Sequence, residues 1–177
     1  MKIRTLSALL VACALTGSSV AQDLKIGYTN IDYVLSLMPE AKQIQAELDS
    51  YEKQLDNQLQ AKIKEYQTKG EEYQQLPAST SEVIRKDKET GILNLQNSIE
   101  AFQQRASNSL VEKRRALLQP AYDKIQNTIE AVATENGFTH VFSTGSGGGF
   151  VLLWGREEDD ISNLILAKLG ITPPGTN

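Results

Sequence analysis

PEAKQIQAELDSYEKQLDNQLQ, residues 39–60, opens a stretch that runs to Asn136 and turns over at Leu76-Pro77-Ala78-Ser79-Thr80-Ser81. Before the turn, Ala41, Ile44, Leu48, Tyr51, Leu55, Leu59, Tyr66, Gly70 and Tyr73 recur at spacings of three and four, with a single step of seven from Leu59 to Tyr66. After the turn, Ile84, Gly91, Leu95, Phe102, Ala106, Leu110, Leu117 and Pro120 mark a similar stripe. This period belongs to a coiled-coil seam rather than to the broad apolar face of a globular surface helix. Folded back antiparallel, the limbs fit each other: Tyr66 falls opposite Leu95, Leu59 opposite Phe102, Leu55 opposite Ala106, Tyr51 opposite Leu110 and Ile44 opposite Leu117. The four-residue step at Leu55/Leu59 meets the same step at Phe102/Ala106, as a stutter must if the seam is to stay closed. The stretch reads as one long intramolecular hairpin.

Working outward, Pro77 stops the first helix at Leu76, and Ser79-Thr80-Ser81-Glu82 is a capping-box pattern that starts the second. Pro120 lies opposite Ala41, where a kink would mark the second helix leaving the arm. Asn136-Gly137 predicts a left-handed cap. Upstream, Leu24, Ile26 and Tyr28 alternate with Lys25, Gly27 and Thr29, the pattern of a half-buried strand. Asn30-Ile31-Asp32 can cap a short helix through Leu37, and Pro39 suits the first turn of the next helix. Downstream, residues 138–144 and 150–154 read as strands joined by Gly145-Ser146-Gly147-Gly148-Gly149. A last helix over 160–169 has Asp159 and Asp160 at its positive end and Gly170 at its stop.

Lys2 and Arg4 precede an apolar run from Leu6 to Leu15, followed by Ser19-Val20-Ala21. Residues 1–21 therefore read as a secretory signal peptide, too short to span a membrane. Leu10-Val11-Ala12-Cys13 also resembles a lipobox, which would make Cys13 a lipidated N-terminus. Under cleavage after Ala21 the mature chain has no cysteine, so disulfides and thiol chemistry are excluded. The whole chain carries 18 basic and 22 acidic residues, a net charge of −4, and loss of Lys2 and Arg4 makes it two units more negative. No basic stripe is present for nucleic acid or anionic lipid.

The expected fold class is α+β: a long antiparallel helical-hairpin arm, residues 39–120 with its tip near 77–81, emerging from a small three-stranded β body made of 22–38 and 121–177. Phe150-Val151-Leu152-Leu153-Trp154 is apolar on both faces, as in a strand covered on both sides. Three strands bury too little and leave open edges. Ile26, Tyr28, Phe142, Phe150, Leu152 and Trp154 are therefore expected to form a body completed by association with further copies.

KIGYTNIDYVLSLMPEAKQ, QPAYDKIQNTIEAVATENGFTHVF and LLWGREEDDISNLILAKLGI, arranged around the hairpin, resemble the Skp/OmpH family of periplasmic chaperones. The resemblance spans the mature chain and is carried mainly by its two ends. It implies a trimer shaped like a jellyfish, with a nine-stranded body and three helical tentacles around a cavity. It also implies an ATP-independent holdase that shields unfolded outer-membrane β-barrel proteins in the periplasm of a Gram-negative bacterium. The best-known member is strongly basic, whereas this chain is acidic, so electrostatic capture of acidic clients or lipid head groups does not carry over. The resemblance supplies no catalytic residue, cofactor or metal.

Other chemistry finds little footing. Gly145–Gly149 lacks the Gly-Lys-Ser/Thr of a phosphate cradle and leads into a strand. Glu157-Glu158-Asp159-Asp160 lacks the alternating ligands of a calcium loop. His140 is the one histidine, with no second histidine or cysteine near it. Two function classes remain. A holdase would grip clients through many weak contacts, with Val83, Leu93, Val111 and Leu118 as off-seam candidates. A structural spacer or adaptor of the envelope, free or lipid-anchored, would instead bundle its hairpins. The glutamine-rich outer faces favour solvated arms. Gly70 and Gly91, opposite each other in the expected register, are candidate hinge residues.

Overall fold

A computed structural model describes residues 24–145 and 152–173. In chain order the elements are β1 (Ile26–Thr29), α1 (Ile31–Leu37), α2 (Pro39–Gln74), α3 (Glu82–Asn136), β2 (His140–Ser143), a 3-10 turn (Glu157–Asp159) and α4 (Ser162–Lys168). With 36 and 55 residues, α2 and α3 are about 54 and 82 Å long at 1.5 Å per residue. They pack antiparallel, and α3 continues past Pro120 to form the floor of the base.

Local chemistry sets most boundaries. The Asn30 carboxamide oxygen accepts the Tyr33 N–H at 3.0 Å and caps α1. Met38 is extended (φ −69°, ψ 138°), the conformation favoured before a proline, so α1 and α2 are separate helices. Gly137 ends α3 at φ 69°. The Phe138 N–H reaches back to the Ala133 carbonyl (2.9 Å) and the Gly137 N–H to that of Thr134 (3.4 Å), a Schellman closure. The expected capping box at Ser79/Glu82 does not form. A turn from Pro77 to Thr80 (Thr80 N to Pro77 O, 3.0 Å) absorbs those residues. Ser81 then becomes the N-cap, without a side-chain bond. The Arg85 guanidinium donates to the Pro77 carbonyl (2.6 Å) and ties the tip.

The expected limb register holds. Glu47 pairs with Lys113, Tyr51 with Ser109, Lys62 with Ser98 and Glu72 with Lys88, each partner one residue from the position expected opposite it. Two stripe residues are corrected. Ile84 and Gly91 are exposed, and the half-buried positions of early α3 are Arg85, Lys88 and Ile92. The seam there follows the Ile92–Leu95–Ile99–Phe102 phase. The missing step between Leu59 and Tyr66 is filled by Lys62 and Ile63, both half-buried.

β1 and β2 pair in parallel, Ile26 opposite His140 through Thr29 opposite Ser143. Of the three expected strands the described residues form two, and Leu152, Leu153 and Trp154 are not in a strand. Phe150 and most of the glycine turn lie outside the described residues. The free edge of β1 instead meets a single bridge, Tyr28 with Asp160, where the Ile161 N–H donates to the Tyr28 carbonyl at 2.9 Å. The last helix begins at Ser162 rather than Asp160, since the 3-10 turn occupies 157–159 and the Asp160 carboxylate accepts the Ser162 N–H (2.8 Å).

The face of β1 that is buried is its less apolar one. Gly27 and Thr29 turn inward onto a core of Val34, Met38, Ala121, Ile125, Val132, Ile161, Ile165 and Leu166. Thr29 and Ser162 share a hydroxyl hydrogen bond (3.0 Å), and the Asn30 N–H donates to Ser162 Oγ (3.2 Å), so the buried hydroxyls are satisfied. Gly27 is required by packing: a Cβ there would stand 3.0 Å from Phe138 Cε1 and 3.2 Å from Ile161 Cγ2. Gly27→Ala is expected to lower the stability of the base by about 1–3 kcal/mol, read as a lower urea midpoint with the far-UV signal of the hairpin retained.

Candidate functional site

Two surfaces stand out, the open face of the small sheet and the length of the hairpin. The parallel register puts Ile26 beside His140 and Tyr28 beside Phe142 on the outward face of the sheet. His140 and Phe142 stack with ring centroids 6.5 Å apart. A cleft of about 600 Å³ runs along this face, lined by Leu24, Ile26, Tyr28, Leu152 and Trp154 with Arg156 and Asp159 at one end. The Tyr28 ring lies so close to Gly155 that a Cβ there would come within 2.6 Å of it. Partial desolvation holds the Tyr28 phenol above its usual range, with Asp160, Glu157 and Asp159 adding to the effect.

The structure therefore gathers Ile26, Tyr28, Phe142, Leu152 and Trp154 on one side, while Phe150 lies outside the described residues. It does not bury them. Trp154 is 78% exposed and Leu153 87% in the single chain. A parallel sheet covered on one face only, with an exposed tryptophan beside the other, is an apolar patch that calls for cover.

Along the hairpin, Leu48 is the one fully buried apolar residue between the base and the tip among those described, and the remaining seam side chains are half-buried. Two helices alone cannot enclose a seam. Cross-limb polar contacts supplement it: Lys113 to Glu47 at 2.5 Å, the Tyr51–Ser109 hydroxyl pair, Lys88 to Glu72 at 3.6 Å, and Lys62 to Ser98 at 3.2 Å with its ammonium 5.9 Å from the Phe102 ring centre. The outer faces are tied by glutamines that donate to a side chain four residues on, as in Gln45–Asp49, Gln96–Glu100, Gln104–Asn108, Gln119–Asp123 and Gln126–Glu130. Each such tie stabilises a solvated helix by a few tenths of a kcal/mol.

Val83, Leu93 and Val111 are exposed and Leu118 half-buried. Leu93, Val111 and Leu118 share one side of α3 by helical phase, whereas Val83 stands at the tip. Gly70 is half-buried and Gly91 exposed, and a Cβ at either would meet nothing within 4 Å. Close limb approach is therefore not what these glycines provide. Ile63, Ile92 and Ile99 were missed by a strict stripe. Their signal was the apolar residue one position beside each seam polar residue: Ile63 after Lys62, Ile99 after Ser98.

Among the described residues, no group of three or more His, Cys, Asp or Glu is placed to hold a metal, and no helix is long and apolar enough to cross a membrane. A family model described as outer membrane protein (OmpH-like) matches residues 25–169. Among solved structures, a candidate outer membrane chaperone (OmpH-like) from Caulobacter crescentus CB15 is similar over 87% of this chain and 88% of its own, with a TM-score of 0.69 at 10% identity. At that identity the likeness is one of fold. No curated protein matches the chain.

Where the hairpin meets the base, Glu40 Oε1 accepts from Lys124 Nζ at 2.6 Å, while Oε2 is buried without a partner. The Lys124 hydrogen bond, then the backbone of Glu40, hold this carboxyl below its usual range against some desolvation. A depressed carboxyl contributes stability above the ordinary carboxylate value of about 4.3 and loses it as pH falls through the lower folded value. Because the pair is largely solvated, Glu40→Gln is expected to cost a few tenths of a kcal/mol near neutral pH. Thermal melts of variant and parent should converge once acid has protonated Glu40.

Proposed function

The chain belongs to the OmpH-like outer membrane protein family, and from that premise we propose that it is an ATP-independent periplasmic holdase chaperone for unfolded outer-membrane β-barrel proteins. In this reading residues 1–21 direct export, 22–38 with 121–177 form the body, and 39–120 form a tentacle. The observation that carries it is the half-exposed seam. It offers a client tens of ångströms of shallow apolar surface, the form suited to many weak, interchangeable contacts. A dry spacer would need a second continuous seam. Val83, Leu93 and Val111 are too far apart on α3 to make one.

The outward face of the sheet supports self-association in the same reading. Leu24, Ile26, Leu153 and Trp154 are all exposed in one chain, and a trimer would cover them while setting three hairpins around a shared space. Holding an extended apolar segment there needs no chemical step and no nucleotide. Gly70 and Gly91, free of close neighbours, would let the distal arm bend to fit clients of different size.

The direct test is to dilute a urea-unfolded outer-membrane β-barrel protein into buffer and follow light scattering. A molar excess of the mature protein is expected to suppress scattering without ATP, and unchanged aggregation would refute the chaperone role. Trp154→Ser is expected to weaken self-association by about 2 kcal/mol or more per contact, as for a buried interface tryptophan, read by sedimentation as a shift to smaller species. An unchanged oligomer would remove this face from the interface. With spin labels at Ser79, Gly70→Ala combined with Gly91→Ala should narrow the spread of tip-to-tip distances. The hinge is wrong if the distribution matches that of the parent.

A further inference from the structure

The two flanks of the hairpin differ. At about 100° per residue, side chains displaced in the same rotational sense from the two antiparallel seams share a flank. One flank is closed by the cross-limb polar contacts: Glu47–Lys113, Tyr51–Ser109, Lys62–Ser98 and Glu72–Lys88. The other carries Ile63 of α2 and Ile92, Ile99, Leu110, Leu117 and Leu118 of α3, all half-buried. Among the described residues no hydrogen bond or ion pair crosses between the limbs on that side.

The same flank is bordered by carboxylates. By helical phase Asp49, Glu52 and Asp56 of α2 lie along it, with Glu89 and Glu100 of α3. None of the five joins an ion pair among the described residues, although Gln45 donates to Asp49 and Gln96 to Glu100. Of the bases on this side, Arg85 is tied to the Pro77 carbonyl, Lys86 lies beside it near the tip, and Lys42 and Arg114 lie toward the root.

We propose that this apolar, acid-bordered flank is the client-holding face of the arm, and that its occupant is an extended apolar polypeptide segment bearing lysine or arginine. The assignment rests on the holdase reading and adds to it a face and a charge preference. Ile92 and Ile99, like Leu110 and Leu117, are two helical turns apart, about 10 Å, whereas same-face residues of an extended chain repeat every ~6.8 Å. The two repeats do not lock, so a segment can shift along the flank while keeping apolar contact. The carboxylates then set which segments stay, by attraction to cations and repulsion of acids.

The test places a benzoyl-phenylalanine cross-linker at Gln96 or Gln103 on the apolar flank, and at Gln58 or Asn94 on the polar flank. All four positions are exposed, so folding is expected to be undisturbed. The probes are fluorescein-labelled peptides of equal length and leucine content, one bearing lysines and one glutamates. Cross-linking to the lysine peptide is expected to be about tenfold stronger from Gln96 and Gln103. The lysine peptide should bind about fivefold more tightly than the glutamate peptide, the size given by two exposed ion pairs, and Glu52→Gln with Asp56→Asn should erase that margin. Equal yields from both flanks, or no preference between peptides, would overturn the proposal. If aggregation is still suppressed but neither flank cross-links, the flank assignment alone falls. If aggregation is not suppressed at all, the holdase reading fails and the flank assignment with it.

Discussion

The structure depends on one pairing, the parallel ladder that sets Ile26–Thr29 beside His140–Ser143. Parallel neighbours cannot be joined by a tight turn and require a long crossover. Here the crossover is the whole hairpin, so the ladder clamps the two roots of the arm together at the base. The clamp is reinforced on both sides. Lys25 donates to the Asn136 carbonyl at the end of α3 (2.8 Å) and lies 4.3 Å from the centre of the Phe138 ring. Behind the sheet, Thr29 and Ser162 join β1 to α4. Without this knot, two long solvated helices would have no fixed origin.

From that origin the balance of forces changes along the chain. At the base, Ile125, Ile161, Ile165 and Leu166 are almost wholly removed from water, and burial dominates. Beyond Leu48 there are only two helices, neither able to cover the other, and stability comes from half-buried contacts, glutamine ties and a few ion pairs. Each of these is small. The result is a rigid root and an arm whose apolar surface is never fully spent on its own folding. The buried core and the half-exposed seam thus occupy different stretches of one helix, α3, on either side of Pro120.

The hairpin was legible because a seam repeat is a local signal renewed at every turn. Tyr51, Leu55, Leu59 and Phe102, Ala106, Leu110 reveal both the helices and their register, and the ion pair of Glu47 with Lys113 agrees with it. Caps were legible for the same reason: Asn30, Pro39 and Gly137 act on neighbours a few residues away. Errors appeared where the signal thinned. Near the tip Ile84 and Gly91 seemed to continue the stripe, but the turn at Pro77–Thr80 set the starting phase of α3 and rotated both out of the seam.

The sheet was harder to read because its faces are defined by what packs on them. The alternation of Leu24, Ile26 and Tyr28 with Lys25, Gly27 and Thr29 identified a strand, yet the apolar side is the one turned outward. Only the close approach of Phe138 and Ile161 to Gly27, and of Ser162 to Thr29, shows which side meets the core. Leu152, Leu153 and Trp154 look equally apolar in the sequence whether they form a strand or lie exposed beside one. By itself the sequence determined the helices, their pairing and the family likeness, since these rest on periodicity and short-range chemistry. Tertiary structure alone decided the parallel ladder, the inward face of β1, the exposure of Trp154 and the polar closure of one hairpin flank, because each depends on residues distant in the chain meeting in space.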